Sequence, residues 1–217
     1  MSMDSLRLTV AFQVEKFKGN ALFGKLEAGT LTRADYQRLL LTIFHQTYEG
    51  PYTFAQAGVA CPWRLLGLKE YLLHHAEEEK SHWKWVVGDL QELGYDGPDP
   101  RDRLPEPPTL AYVAFNHFVA QRHPPARIAV ATVLEAIGAE LGGPYGRATV
   151  KQLGLRPNQV TFFLAHGSTD KEHIEDLWEV IGAAPLEPEE WRWMIYAAEQ
   201  AGRLYAAMFD HAVRPDA

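Results

Sequence analysis

From Leu6 to Phe54 the apolar residues recur largely at helical spacing. Thr32, with Asp35 three residues on, forms an N-cap signal at the start of a long helix, which Gly50 and Pro51 then interrupt or kink. A second long helix is expected over about residues 66–93, stopped by Gly94. In the next stretch, 95–108, Gly97, Pro98, Pro100, Pro105, Pro107 and Pro108 crowd together and predict a loop. Helices follow over about 110–121, 125–141 and 157–181, and a last one starts near Pro188. Three of these open on a proline, whose missing N–H is not needed at a first helical position. There is no run of alternating strand pattern, no phosphate-binding glycine motif and no repeat at fixed period. The expected architecture is all-α, with about seven helices in a single domain over residues 1–217.

The second long helix carries HHAEEEKSHW. With His75 at zero and roughly 100° per residue, Glu79 falls at about 40° and His82 at about −20°. Leu68, Tyr71 and Val86 share that face, whereas Glu77, Lys80 and Lys84 point elsewhere. His75, Glu79 and His82 therefore sit on the apolar face. An ionised carboxylate buried there without compensation costs several kcal/mol, so the core must supply a partner, and a cation is the simplest one.

The stretch HGSTDKEHIEDLW repeats the arrangement with His166, Asp170 and His173, and with Phe162 and Leu177 on the same face. Both segments read His-x3-carboxylate-x2-His. One such triplet reads equally as a core histidine beside a surface acid, but two on separate helices point to a shared metal site. Between them, the run IAVATVLEAIGA contains one acid, Glu135. Its neighbours at helical spacing, Ala131, Gly138, Ala139 and Gly142, are small. They either leave room for something to lie against the helix or serve close helix packing.

The candidate ligands are thus His75, Glu79, His82, Glu135, His166, Asp170 and His173. They are too many for one tetrahedral metal and suit two metals of higher coordination that share a carboxylate and keep positions open. Four neutral imidazoles and three carboxylates around two divalent ions leave a local charge of about +1, which can accept dioxygen or an anionic substrate group. Mixed imidazole and carboxylate ligation without thiolate suits Fe, Mn or a mixed Mn/Fe pair better than structural zinc. Glu-x2-His motifs on two helices with single glutamates on two others are the arrangement of di-iron carboxylate bundles. Glu79/His82, Asp170/His173, Glu135 and Glu49 supply that set, with Asp in place of one Glu.

The composition narrows the function classes. The chain has 217 residues, 47% hydrophobic and 23% charged, enough to bury one sizeable core. The net charge of −7 is the wrong sign for neutralising phosphates along a nucleic acid, and no basic stripe is present. Hydrophobic segments are broken well before membrane-spanning length, and no leader pattern precedes them, so a soluble, cytoplasmic protein is expected. The single cysteine, Cys61, excludes an intramolecular disulfide and a Cys-rich zinc site.

The motifs resemble those of the heme-oxygenase-like diiron oxidases, the iron-containing redox enzymes. The resemblance rests on HHAEEEKSH with the following DLQELG, on Leu134 and Glu135 in VLEAIG, and on His166, Asp170 and His173 in HGSTDKEH. It spans roughly residues 45–182. It implies a seven-helix, heme-oxygenase-like bundle related to thiaminase II and to the pyrroloquinoline quinone synthesis oxidase. It also implies that Glu79, His82, Glu135, His166, Asp170 and His173 bind metal, and it makes a homodimer plausible. At His75 the sequence departs from several members, which carry Glu. Glu78 is an alternative to Glu79 or a group that orients an imidazole, and Glu49 either turns toward the pocket or marks the end of a helical segment.

The leading expectation is a non-haem dinuclear iron oxidase or oxygenase that uses O2 on a small organic substrate. Haem is not expected, because the first histidine is His45. One alternative is a metal-independent, thiaminase-type C–N hydrolase using Cys61. Another is a noncatalytic small-molecule-binding protein in which the histidine and acid pairs are merely hydrogen-bonded. His117, His123 and His211 have no carboxylate three or four residues further on and are assigned no chemistry. His45 with Glu49 reads as a local hydrogen bond.

Overall fold

The computed structural model describes residues 1–214, except for the side chains of 168–172. Helices α1 (Met3–Phe17) and α2 (Ala21–Glu27) precede the long α3 (Arg33–Ala60), followed by α4 (Leu66–Glu79), α5 (Trp83–Glu92) and α6 (Pro107–Arg122). Then come α7 (Arg127–Ile137), a π-helical segment (Gly138–Gly142), α8 (Gly143–Leu153), α9 (Thr161–Ala183) and α10 (Pro188–Ala212). No strand occurs among the described residues, so the all-helical expectation holds. The expected seven helices are too few.

Three local features explain the difference. The stretch expected as one helix over 66–93 breaks at Lys80–His82, where a turn separates α4 from α5. The segment around Gly138–Gly142 widens into the π-helical form and leads into α8, where the sequence pattern suggested that a helix would end. The chain ahead of Thr32 is cut by Asn20, which caps α2, and by Gly29, whose φ of 70° lies in the left-handed region.

Other signals are realised as expected. Thr32 and Asp35 form a reciprocal capping box, with the Asp35 amide donating to Thr32 Oγ1 at 3.1 Å and the Thr32 amide to Asp35 Oδ2 at 3.0 Å. Gly94 follows α5 with a φ of 71°. Pro51 does not end α3, which runs 28 residues through it. Proline has no N–H for the Thr47 carbonyl four residues back, and the preceding Gly50 carries no Cβ to clash with the ring. Both Thr47 and Gly50 line the central cavity.

Helix α3 packs on α4 and α6, α10 on α1, α6 and α7, and α9 on the π segment, α8, α7, α5 and α4. The buried apolar residues fill the space among them, including Leu39, Leu40, Ile43, Leu72, Val130 and Leu177. This packing sets α9 against both α4 and α7.

Candidate metal centre

Each element delivers its polar residues to one place. On α4, His75 is fully buried and Glu79 partly buried, with Leu68 and Leu72 buried beside them and Glu77 and Lys80 exposed, as the helical wheel requires. His82 arrives differently from the expected continuous helix. It lies in the turn after α4, its amide donating to the Glu79 carbonyl at 3.1 Å. Such an i→i+3 turn advances about 120° per residue, so three steps return His82 to the side of Glu79.

On α7, Glu135 is 8% exposed and its carboxylate lies between His75 of α4 and His173 of α9. From α9 come His166 and His173. His166 Nδ1 is 2.8 Å from the Phe162 carbonyl, which can only accept, so Nδ1 carries the proton and Nε2 presents its lone pair to the site. Burial lowers the pKa of His166 and keeps the ring neutral, as metal ligation requires.

Two groups of ligand atoms result, each within 4.8 Å of one another: His75, Glu79, Glu135 and His173 in the first, and Glu79, His82 and His166 in the second. Glu79 belongs to both. In the first group, Glu135 Oε1 is 3.3 Å from His75 Nε2 and Glu135 Oε2 is 3.4 Å from His173 Nδ1. In the second, Glu79 Oε2 is 2.7 Å from His82 Nδ1. Burial raises the Glu135 carboxyl, but His173 and His75 more than offset it and hold its pKa down to about 2. Glu135 in turn raises the pKa of His173.

Although these atoms are close, several of them lack an aligned hydrogen bond. Both ring nitrogens of His75, Nδ1 of His82 and His173, and Oε2 of Glu135 are buried without a hydrogen-bond partner. Native interiors pair nearly all such atoms. Nitrogen and oxygen lone pairs converging without protons aligned between them fit a bound cation. The residues present therefore suit a pair of divalent ions with imidazole and carboxylate ligands.

Glu78 is half-exposed and lies behind the first group, its Oε2 3.7 Å from His75 Nδ1 and 3.8 Å from His173 Nε2. Each of these rings thus has Glu135 at one nitrogen and Glu78 at the other, the placement of a group that orients ligand imidazoles. Asp170 lies outside the described residues. Glu49 is not in either group. It lines the neighbouring cavity and faces His117 Nε2 at 3.3 Å. His117, to which the sequence pattern assigned no chemistry, therefore has a carboxylate from another helix, α3. That pairing has no signature in local spacing.

Trp85 stacks on His82, with ring centroids 4.1 Å apart, and meets His166 edge-on at 5.2 Å. Tyr71 stacks on His75. Two further devices place α9. Asp89 of α5, within the DLQELG motif, accepts the Thr161 amide at 2.8 Å and the Phe162 amide at 2.9 Å, capping a helix whose own N-cap residue, Val160, has no acceptor side chain. Gly167, next to His166, lies against the junction of the π segment and α8 so closely that a Cβ there would come within 2.4 Å of the Gly143 nitrogen.

A cavity adjoins the cluster, with Glu79, Glu135 and His166 in its wall. Cys61 does not line it. Burial pushes that thiol's pKa up to about 11. No helix among the described residues is long and apolar enough to cross a membrane.

No curated protein sequence matches the chain significantly. Among solved structures, the chain is similar to a domain of unknown function with a heme oxygenase-like fold from Shewanella denitrificans (TM-score 0.88, 21% identity, covering 99% of this chain and 93% of that one). It is also similar to a TenA homologue from P. horikoshii (TM-score 0.78, 16% identity, 99% of each chain). A heme oxygenase from Leptospira interrogans gives a TM-score of 0.76 at 17% identity, over 97% of this chain and 99% of that one. At these identities the likeness establishes the heme oxygenase-like fold. The sequence pattern of the iron-containing redox enzymes matches residues 43–206, and the chain belongs to that family.

Proposed function

We propose that the protein is a non-haem dinuclear iron oxidase or oxygenase acting on a small organic substrate held in the cavity beside Glu79, Glu135 and His166. The observation that carries this reading is the pair of ligand groups sharing Glu79. Two iron ions bound there would supply the electrons and open coordination positions for oxidation of the substrate by O2. A carboxylate common to both groups would hold the two sites at a fixed separation. His166, with its Nδ1 proton engaged by the Phe162 carbonyl, keeps Nε2 free for ligation, and Glu78 steadies the His75 and His173 rings. Manganese, or one ion of each kind, suits the same donor set.

Anaerobic Fe(II) titration followed by measurement of O2 consumption tests this. Two ions per chain and iron-dependent O2 uptake, both reduced in His82→Ala, are expected. A wild-type protein that binds no iron, or a His82→Ala variant that behaves like it, would refute the proposal.

The fold also accommodates the TenA-type reading, a metal-independent C–N hydrolase. If Cys61 were its nucleophile, Cys61→Ala would abolish hydrolysis of a thiamin-like substrate, with chelators having no effect. The buried thiol, outside the cavity wall, gives that version no support. A noncatalytic carrier is disfavoured by the convergence of both histidine and carboxylate segments on one cavity.

A further inference from the structure

Arg127, the first residue of α7, is 3% exposed and lines the cavity. Its Nε donates to Thr53 Oγ1 at 3.0 Å, and the Thr53 hydroxyl donates to the Gly50 carbonyl at 2.8 Å. The guanidinium carbon lies 3.7 Å from the centroid of the Phe54 ring, which covers one face. Nη1 is buried and has no hydrogen-bond partner, and no Asp or Glu among the described residues forms an ion pair with the group. A guanidinium buried in this way is costly unless something supplies the missing acceptor.

We propose that Arg127 anchors the carboxylate of the substrate, so that the cavity takes a small organic acid with an aromatic or apolar body directed toward Glu79, Glu135 and His166. The identification of this ligand as a substrate rests on the oxidase reading. The apolar part of the wall includes Phe17, Phe23, Tyr145, Phe162 and Phe209, surfaces suited to a hydrocarbon or aryl body. One uncompensated positive charge matches a singly charged carboxylate better than a phosphate dianion, which would demand more donors.

The anchor lies close to the metal ligands. Phe54 carries Arg127 on its face and meets the His75 ring edge-on, with centroids 4.5 Å apart. Arg127 and Glu135 stand on the same helix, two turns or about 12 Å apart along its axis, so α7 fixes the distance between them. The other charged side chains lining the cavity are Glu49, Glu79 and Glu135. Glu49 faces His117, and Glu79 and Glu135 belong to the ligand groups. Two divalent ions on the predicted ligand set turn that region from anionic to about +1. The loaded cavity then favours an anion. Burial lowers the Arg127 pKa to about 10, with Tyr112, Glu79 and Glu135 acting the other way, so the side chain stays cationic at neutral pH.

Calorimetric titration of the Mn(II)-loaded protein with 3-phenylpropionate, 3-phenylpropan-1-ol and 3-phenylpropylamine tests the assignment without requiring turnover. The acid is expected to bind at least about tenfold more tightly than the alcohol, the scale of a charge-assisted hydrogen bond, and the amine most weakly. Arg127→Met should erase the preference for the acid while leaving the Mn(II) stoichiometry at the wild-type value. Equal binding of acid and alcohol, no binding of the acid, or a preference that survives in Arg127→Met overturns the proposal, the last because it would put the carboxylate on the metal ions. If Arg127→Met does not fold, Arg127→Lys decides. It keeps the charge without the planar fork and should bind the acid about tenfold more weakly, and unchanged affinity overturns the assignment. Loss of iron-dependent O2 uptake with acid selectivity intact would count against the oxidase reading alone. The reverse result would count against the anchor alone.

Discussion

Glu79 occupies the position on which both ligand groups depend, whereas His166 serves one of them and Glu135 the other. Removing Glu79 should therefore cost more than removing either. Anaerobic metal titration is expected to give two ions for the wild type, about one for His166→Ala, and none held tightly for Glu79→Ala. Equal losses in both variants would show that Glu79 is not shared. Within the cluster, Glu78 faces the outer nitrogens of His75 and His173, while its other oxygen lies 3.3 Å from His74 Nε2 outside it. Glu78→Gln should leave the stoichiometry intact and weaken affinity by about 10–100-fold. These residues were legible in the sequence because a helix presents every third and fourth residue on one face. Arg127 was not. Its importance lies in a missing partner, and which groups fail to reach a buried atom is settled only by packing.

At the scale of elements, α9 must hold His166 and His173 in register with α4 and α7. Asp89 does so from α5 by accepting two amides at the start of α9. Asp89→Ala should destabilise the protein by about 2 kcal/mol, near the upper end for lost helix caps, and Asp89→Asn, which keeps one acceptor oxygen, by about 1 kcal/mol in chemical denaturation. A loss below the scatter of surface substitutions would remove Asp89 from this role. The other support is the contact of Gly167 with the π segment, where added atoms meet backbone rather than a yielding side chain. Gly167→Ala is expected to cost about 1–3 kcal/mol and to weaken the ion held by His166. The sequence marked Gly138 and Gly142 as small neighbours of Glu135, open either to a ligand or to close packing. At Gly142 the structure shows both, since it approaches Gly167 and also lines the cavity. The break after Glu79 was not legible, because nothing in HHAEEEKSHW interrupts helical spacing and the turn keeps His82 on the same side.

For the whole molecule, metal and stability are linked, since the ligands come from helices widely separated along the chain. Each ion that binds the folded state at 100 times its Kd adds about 2.7 kcal/mol. For a chain of this size that corresponds to a Tm higher by about 5–10 °C per ion, or about 10–20 °C for two. Chelation should remove that increment from the wild type and leave Glu79→Ala unchanged, as read by circular dichroism. A wild-type Tm indifferent to chelator would detach the cluster from metal binding.

The sequence by itself determined that the chain is helical and which face of each segment carries histidine and carboxylate, because a period of 3.6 residues is a local property that needs no knowledge of neighbours. It also carried the motifs of the family. Tertiary structure decided that Glu79 stands between two ligand groups, that Glu49 pairs with His117 rather than His45, and that Arg127 faces a cavity without a counter-charge. Those facts depend on which helices pack together and on what their side chains leave unfilled, and spacing along one helix carries no record of either.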